Sequence, residues 1–269
     1  MKTTQSSSRK PNPFVVWTDY LVRAAQGKLH LPPRWLRDVG PSDFEATGRE
    51  FLDLFIRLGQ LRPDERVLDI GCGCGRMAIP LTGYLNRQGS YVGLDITAAP
   101  ISWCQEHITP QHPNFHFSHI DLYNQRYNPA GRYLARDYVF PFEPESFDFI
   151  FLTSVFTHML PDDVAQYLRE IARLLRPKGR AFITVFLLNE AQQALAQQGR
   201  NDINFQYSAG PYRTRNESVP ESAIAYDEAF LRQLIAGVGL TISDPIHYGR
   251  WSGGQPGLSY QDIMLLHQP

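Results

Sequence analysis

Within 269 residues, the residue types most ready for ligand chemistry lie in Val67-Leu68-Asp69-Ile70-Gly71-Cys72-Gly73-Cys74-Gly75-Arg76. An apolar run with the character of a buried strand stops there in a turn built almost wholly of small residues. Glycine lacks a Cβ, so such a turn lets a ligand come within van der Waals reach of the peptide plane. Roughly twenty residues further on, Tyr91-Val92-Gly93-Leu94-Asp95-Ile96 reads as a second buried strand ending in a carboxylate, the spacing a ribose-binding acid needs. The two segments together describe a site for a nucleoside-containing cofactor.

Details within the turn choose among such cofactors. A dinucleotide fingerprint needs Gly-x-Gly-x-x-Gly, so that the third glycine brings the helix close and its N-terminus meets a pyrophosphate. Here Gly75 comes one place early and Arg76 stands where the third glycine belongs. Asp69 ends the strand just before the turn, poorly placed beside a diphosphate and well placed near an ammonium group. S-adenosylmethionine carries such a group on its amino-acid tail, and a nicotinamide-dependent reductase is disfavoured.

Taken together, these residues resemble the class I S-adenosylmethionine-dependent methyltransferase family. Its glycine-rich first motif corresponds to residues 67–75 and its second to Gly93-Leu94-Asp95-Ile96. His119-Ile120-Asp121-Leu122 is similar to the adenine-side motif, Phe147-Asp148-Phe149-Ile150-Phe151-Leu152-Thr153-Ser154 to the fourth strand, and Leu174-Leu175-Arg176-Pro177-Lys178-Gly179 to the turn before the fifth. The likeness runs from about residue 67 to 184. It implies a cofactor set of Asp69, Gly71, Cys72, Gly73, Gly75, Arg76, Asp95, Ile96, Asp121, Leu122, Thr153 and Ser154. In that family the residue matching Asp95 binds the ribose hydroxyls and the one matching Asp121 lies by the adenine amino group. Asp69 either touches the methionine amine or orients the turn from behind, and Arg76 pairs either with the cofactor carboxylate or with Asp69. Trp103 lies over the adenine or packs its helix on the sheet.

Methyl transfer from a sulfonium is an in-line displacement, so the protein must align the nucleophile and, for a hydroxyl acceptor, remove a proton. His158 follows the fourth strand and is the first candidate base, its other reading being a helix cap; His247 and Glu217 are weaker candidates. Asp162 and Asp163 follow Pro161 at a helix start, where carboxylates favour the helix dipole, so they are not read as metal ligands. Tyr212, Arg213 and Trp251 are the candidate acceptor contacts. Trp251 lies in a glycine-rich loop and either stacks on a sugar or aromatic ring or anchors the loop. This C-terminal part looks like bacterial methyltransferases that accompany glycosyltransferases. No Asn/Asp-Pro-Pro-aromatic turn follows strand four, where the chain reads Leu152-Thr153-Ser154-Val155, and no Pro-Cys nucleophile occurs. Methylation of nucleobase amino groups or of cytosine C5 is therefore disfavoured.

Composition sets the outer bounds. A formal net charge of −1 with dispersed basic residues leaves no electrostatic footprint for nucleic acid or an anionic membrane. Residues 1–12 read as a polar, disordered tail without an export signal, and no apolar run reaches membrane-spanning length, so a cytoplasmic protein is expected. The three cysteines, Cys72, Cys74 and Cys104, are read as reduced thiols. As metal ligands, Cys72 and Cys74 would need His107, His112, His116 or His119, whose spacing is irregular, so no metal is expected.

The elements that must position these residues alternate. Helical periodicity marks residues 14–26 and 44–58, the second capped by Asp43 or Ser42. Strands are expected at 66–70, 90–94, 115–120, 147–152, 180–187, 240–243 and 260–266. Helices are expected to open near Arg76 and to run over 100–108, 161–175 and 227–237. The pattern predicts an α/β fold: a Rossmann-like, doubly wound, mostly parallel seven-stranded sheet with helices on both faces and an N-terminal helical extension. One domain from 13 to 269 is expected, with N-terminal helices over 13–62, a cofactor core over 63–187 and a substrate-side insertion over 188–226. Long aromatic stretches at 123–142 and 189–226 follow strand ends and should shape an acceptor pocket. The resulting expectation is methyl transfer from S-adenosylmethionine to a small molecule or glycan, at oxygen. The alternative is a non-catalytic S-adenosylmethionine-binding partner or regulator.

Overall fold

The computed structural model describes residues 12–37, 43–254 and 257–268. Residues 1–11 of the expected tail and the Ser42 cap fall outside the described residues, while Asn12, also expected in the tail, is described. Helix α1 (Pro13–Ala25) is capped by Asn12, and α2 (Phe44–Arg57) by Asp43, whose carboxylate accepts the Ala46 N–H at 2.7 Å. The core then alternates: β1 (Arg66–Ile70), α3 (Ala78–Thr82), β2 (Ser90–Asp95), α4 (Ala98–His107), β3 (Phe115–His119), β4 (Phe147–Leu152), α5 (Pro161–Leu174) and β5 (Leu175–Val185). After it come β6 (Leu187–Leu188), α6 (Glu190–Gln197), β7 (Tyr207–Ser208), β8 (Tyr212–Thr214), β9 (Ile224–Asp227), α7 (Glu228–Gly237), β10 (Thr241–His247) and β11 (Asp262–His267).

Seven strands form one mixed sheet in the order β10-β11-β5-β4-β1-β2-β3. β1 to β5 are parallel and β11 runs antiparallel between β5 and β10. Strand order reverses at β1, flanked by β2 and β4, and the chain leaves all three at the same edge. That reversal opens the crevice in which doubly wound sheets bind ligands.

Side-chain alternation along each strand separates two cores. Leu68, Ile70, Ile150, Leu152, Ile183 and Val185 pack with Val164, Leu168 and Ile171 of α5 and with Leu231 and Ile235 of α7. The opposite face of the sheet buries Val67, Tyr91, Phe149, Phe151 and Phe182 against α2, α3 and α4. α5 shows why its sequence is helical: Pro161 occupies the first turn, where no N–H is missed, and Val164, Leu168, Ile171 and Leu174 are buried at helical spacing. Trp103 is 6% exposed within the second core, stacked on His107.

The expected turn at 174–179 survives as a bulge inside β5. Phe147 pairs with Leu175 and Phe149 with Arg180, so residues 176–179 loop out of the ladder, with Lys178 at φ 65°. The 188–226 stretch holds more regular structure than periodicity revealed. It contributes α6 and a second, four-stranded sheet ordered β6-β9-β8-β7, whose strands of two to four residues are too short to show a period.

α1 is inverted with respect to an ordinary surface helix. Its buried residues are Asp19 and Arg23, while Phe14 is 70% and Trp17 62% exposed. Arg23 Nε donates to Asp19 at 2.8 Å and Arg23 Nη1 to the Leu31 carbonyl at 2.8 Å, so the helix is tied down by its charged side.

Candidate active site

The glycine turn leaves β1 at the reversal point. Gly71 and Cys72 both donate their N–H to the Leu94 carbonyl, at 2.7 and 3.0 Å, which pins the turn to the end of β2. Gly71 sits at φ 87°, and a Cβ there would stand 2.4 Å from Val155 Cγ2, so only glycine lets the turn pass beneath the chain that follows β4. Gly73, at φ 52°, differs: a Cβ there would meet nothing within 4 Å. That position faces open space. Gly75 completes the turn, its N–H donating to the Cys72 carbonyl at 3.0 Å.

Asp95 ends β2 beside this turn. One of its oxygens accepts the Gly73 N–H at 2.7 Å and the other the Thr97 N–H at 2.8 Å. Burial raises its pKa, opposed by those same donors. Ile96 is half-buried against the first core, and Leu122 is buried. Asp121 is held outward, its carboxylate 2.6 Å from Arg132 and the Asn128 amide at 3.3 Å; the Arg132 bond depresses its pKa.

Asp69 is 1% exposed beneath the turn. Its Oδ2 accepts the Tyr91 hydroxyl at 2.6 Å, and its Oδ1 has no hydrogen-bond partner. Burial pushes its pKa up to about 8 against the lowering effect of the Tyr91 bond. Arg76 lies close enough for its charge to act on Asp69, and burial lowers the Arg76 pKa. Cys72, Cys74 and Cys104 are buried free thiols, and burial raises the pKa of all three. Among the described residues no group of His, Cys, Asp or Glu side chains is arranged to hold a metal ion.

Across the crevice, Ser154 turns the chain out of β4 at φ 64°. Its N–H donates to Thr184 Oγ1 at 2.7 Å, Thr184 donates to Gln261 Oε1 at 2.6 Å, and the Gln261 amide returns to Ser154 Oγ at 2.8 Å. This closed ring ties β4, β5 and the chain before β11 together, and neither Thr184 nor Gln261 stands in a local pattern that would mark it. Thr153 is buried next to it.

His158 follows in a short 3-10 turn, and its surroundings come from both long stretches. Its Nδ1 lies 2.8 Å from the Glu221 carbonyl, which can only accept, so Nδ1 carries the proton and Nε2 is the acceptor in the neutral ring. Tyr127 Oη is 3.3 Å from that Nε2. Nearby, a cavity of about 150 Å³ is lined by Tyr123, Leu134, Arg136, Leu160, Asp163 and Glu221, so the 123–142 and 189–226 stretches do meet. Burial raises the pKa of both Asp163 and Glu221.

The acceptor contacts expected from sequence are not gathered in one place. Tyr212 is half-buried against the first core, its ring 6.3 Å from Tyr226, and Arg213 is exposed on β8. Trp251 corrects the expectation: it is 2% exposed, packed among Phe186 and Phe205, and its indole N–H donates to Asp262 at 2.9 Å. A ring enclosed in that way anchors the loop and has no face left for a sugar. Asp262 also accepts the Leu187 and Gly249 N–H groups, and burial lifts its pKa to about 6.

A doubly wound sheet with a glycine turn at its reversal point and an acid ending the next strand is the arrangement in which such sheets bind nucleoside cofactors. Residues 68–183 match the family described as methyltransferase domain. A 2-phytyl-1,4-naphtoquinone methyltransferase of Thermosynechococcus vestitus is 33% identical over 137 residues, which cover 49% of this chain and 53% of that protein. The chain thus spans about half the length of the curated relatives it matches. Two solved structures share the fold. One is the PH0226 protein of Pyrococcus horikoshii, with TM-score 0.56, 17% identity and coverage of 87% of this chain and 95% of that one. The other is the 1,6-didemethyltoxoflavin-N1-methyltransferase of Burkholderia thailandensis with 1,6-didemethyltoxoflavin and S-adenosylhomocysteine bound, with TM-score 0.54, 20% identity and coverage of 98% and 93%. Over residues 68–183 the chain is thus similar to a methyltransferase domain, and it shares the fold of these two structures. The residues present fit S-adenosylmethionine: space stands open at Gly73, Asp95 ends β2 beside the turn, and Asp69 Oδ1 is buried without a hydrogen-bond partner.

Among the described residues no helix is long and apolar enough to cross a membrane.

Proposed function

We propose that this protein methylates a hydroxyl oxygen of a small, ring-shaped molecule, with S-adenosylmethionine as the donor. The reading takes residues 13–269 as one methyltransferase domain working in the cytoplasm. The observation that carries it is the orientation of His158. With Nδ1 committed to the Glu221 carbonyl, the ring offers Nε2 as a proton acceptor close to the end of β4. A hydroxyl acceptor must lose its proton to be a competent nucleophile, and a neutral imidazole is suited to take it near neutral pH. Bound at the glycine turn, the sulfonium supplies an electrophilic methyl group.

In this reading Asp95 holds the ribose hydroxyls, Gly71, Cys72, Gly73 and Gly75 give the tail backbone-close space, and Asp121 and Leu122 border the adenine. Ile96, Thr153 and Ser154 complete the walls. Asp69 acts from behind the turn, with Arg76, because it is enclosed there with Tyr91. The acceptor is best matched by a flat conjugated ring, since the cavity wall combines Tyr123, Leu134 and Leu160 with a few polar groups. On such a ring, deprotonating a hydroxyl raises electron density at oxygen and at the adjacent carbon, and the reduced, quinol form of the quinone named for the Thermosynechococcus relative is a ring of that chemical class. A glycan hydroxyl is the second candidate acceptor.

Calorimetric titration with S-adenosylhomocysteine and, separately, NADH tests the cofactor half, on the natural protein and on Asp95→Ala. Binding of the homocysteine compound alone, weakened at least tenfold in the variant, is the expected result. Incubation with radiolabelled S-adenosylmethionine and a panel of phenols, quinols and sugars tests the acceptor half. Label moving to none of them in the presence of tight cofactor binding would remove the methyl-transfer reading.

A further inference from the structure

Asn124 is 7% exposed and uses all of its hydrogen-bonding capacity. Its Oδ1 accepts the N–H groups of Arg126 and Tyr127, at 3.1 and 3.0 Å. Its Nδ2 donates to the His158 carbonyl at 2.9 Å and to Glu221 Oε1 at 3.0 Å. An amide offers two acceptor sites and two donors, and here none is left over. One buried side chain therefore fixes the backbone on both sides of the contact between Tyr127 and His158. The rings meet edge to face, their centroids 5.1 Å apart at 85°. The Arg126 guanidinium lies 5.0 Å over the Tyr127 ring. The second oxygen of Glu221 accepts the Gln125 N–H at 2.6 Å, which adds a further tie between the same two segments.

This arrangement exceeds what packing asks for. A loop can be anchored by one side-chain bond, whereas here several bonds converge to hold a phenol against a nitrogen whose tautomer is already set. Tyr127 can only donate to Nε2 in that tautomer, and a cation over the ring favours negative charge developing on the phenol oxygen.

We propose that Tyr127 and His158 form a proton-transfer pair: Tyr127 takes the acceptor's hydroxyl proton while passing its own to His158 Nε2, and Asn124 is the positioning residue that holds the two in register. The inference rests on the methyl-transfer reading given above. The acceptor's O–H bond breaks as a new O–H bond forms on Tyr127, and the old Tyr127 O–H bond gives way to N–H on His158. The acceptor oxygen makes its bond to the methyl group in place of the one it loses, while the methyl–sulfur bond of the donor breaks and its electron pair returns to sulfur, so that neutral S-adenosylhomocysteine leaves. Positive charge ends on the imidazolium, whose Nδ1–H stays on the Glu221 carbonyl.

The pair can be tested without knowing the acceptor. Nitrogen-15 spectra of histidine-labelled full-length protein, saturated with S-adenosylhomocysteine, identify His158 by the resonances missing from His158→Gln. In the natural protein the expected state is a neutral ring protonated on Nδ1. Tyr127→Phe, which keeps the ring, should shift the Nε2 resonance. Asn124→Asp should shift it in the same direction, while the circular dichroism spectrum stays native. With an acceptor from the phenol and quinol panel, Tyr127→Phe should lower kcat about a hundredfold at unchanged S-adenosylhomocysteine affinity, within the range for general acid–base groups. A ring protonated on Nε2, or a Tyr127→Phe spectrum identical to the natural one, overturns the pair whatever the acceptor is. Full activity in Tyr127→Phe together with loss in His158→Gln overturns the role of Tyr127 and leaves the methyltransferase reading standing. Failure of the natural protein to bind S-adenosylhomocysteine removes the reading itself.

Discussion

The Tyr91 hydroxyl donates to Asp69 Oδ2 at 2.6 Å in the layer beneath the glycine turn, the one bond that compensates a carboxylate enclosed there. Because burial dominates, the folded-state pKa of Asp69 is raised to about 8, against an unfolded value of about 3.9. A raised folded pKa means that the folded state binds the proton more tightly. The stability it contributes is complete below the unfolded value and is lost as pH rises through about 8. Melting temperatures measured between about pH 5 and about pH 9 should fall more steeply in the natural protein than in Asp69→Asn, which keeps an acceptor for Tyr91 and carries no charge. Parallel curves for the two proteins would show that this carboxylate is not the source.

Gly73 borders open space, whereas Gly71 is packed against Val155. A methyl group at Gly73 meets nothing within 4 Å, so Gly73→Ala should cost about 1–2 kcal/mol of stability from its φ of 52° alone. On the proposed cofactor site, its S-adenosylhomocysteine affinity should nevertheless fall by more than tenfold, because the methyl would project into the space assigned to the ligand. Gly71→Ala, whose Cβ would stand 2.4 Å from Val155 Cγ2, should lose stability and affinity together. Thermal melts and calorimetry on both variants make the comparison, and equal affinity of Gly73→Ala and the natural protein would place the ligand elsewhere.

Trp251 should be silent in catalysis. Trp251→Phe preserves a ring between Phe186 and Phe205 and removes one donor from Asp262, which keeps the Leu187 N–H on the same oxygen. The expected cost is about 1–2 kcal/mol of stability. S-adenosylhomocysteine affinity and acceptor KM should be unchanged. A KM increase of tenfold or more, at unchanged stability, would return the tryptophan to the acceptor site.

Thr184 carries the left-handed turn at Ser154. Thr184→Val leaves the Ser154 N–H without its 2.7 Å acceptor and should cost about 1–3 kcal/mol. Thr184→Ser restores the hydroxyl and should restore stability. If the turn helps wall the cofactor, affinity follows the same order, with valine weakest, and a chemical-denaturation series paired with titrations reads both quantities.

The glycine turn and the strand ends beside it were legible because they are local. Glycine at three alternating places and an acid at the end of the following strand are demands on backbone conformation, and those leave residue types behind. Alternating apolar strands and the periodicity of α5 told the sheet for the same reason. The groups around His158 left no such trace. Asn124, Tyr127 and Glu221 reach it from positions 34, 31 and 63 residues away along the chain. Their bonds depend on how loops cross at a sheet edge, and asparagine, tyrosine and glutamate in loops are unremarkable individually. Trp251 misled for a related reason: a glycine-rich loop signals a conformation but not the side of it on which a large ring will settle. The short strands of the second sheet escaped because two to four residues are too few to display a period.

The inversion of α1 has a consequence for cooperativity. Burying the Asp19–Arg23 pair in place of an apolar stripe means that releasing residues 13–25 would expose little of the area that makes unfolding all-or-none. The helix should therefore open as its own small unfolding unit. Its amide protons should exchange with solvent deuterium long before those of β1, β4 and β5, and limited proteolysis after α1 should leave a trimmed molecule that still melts in a single transition.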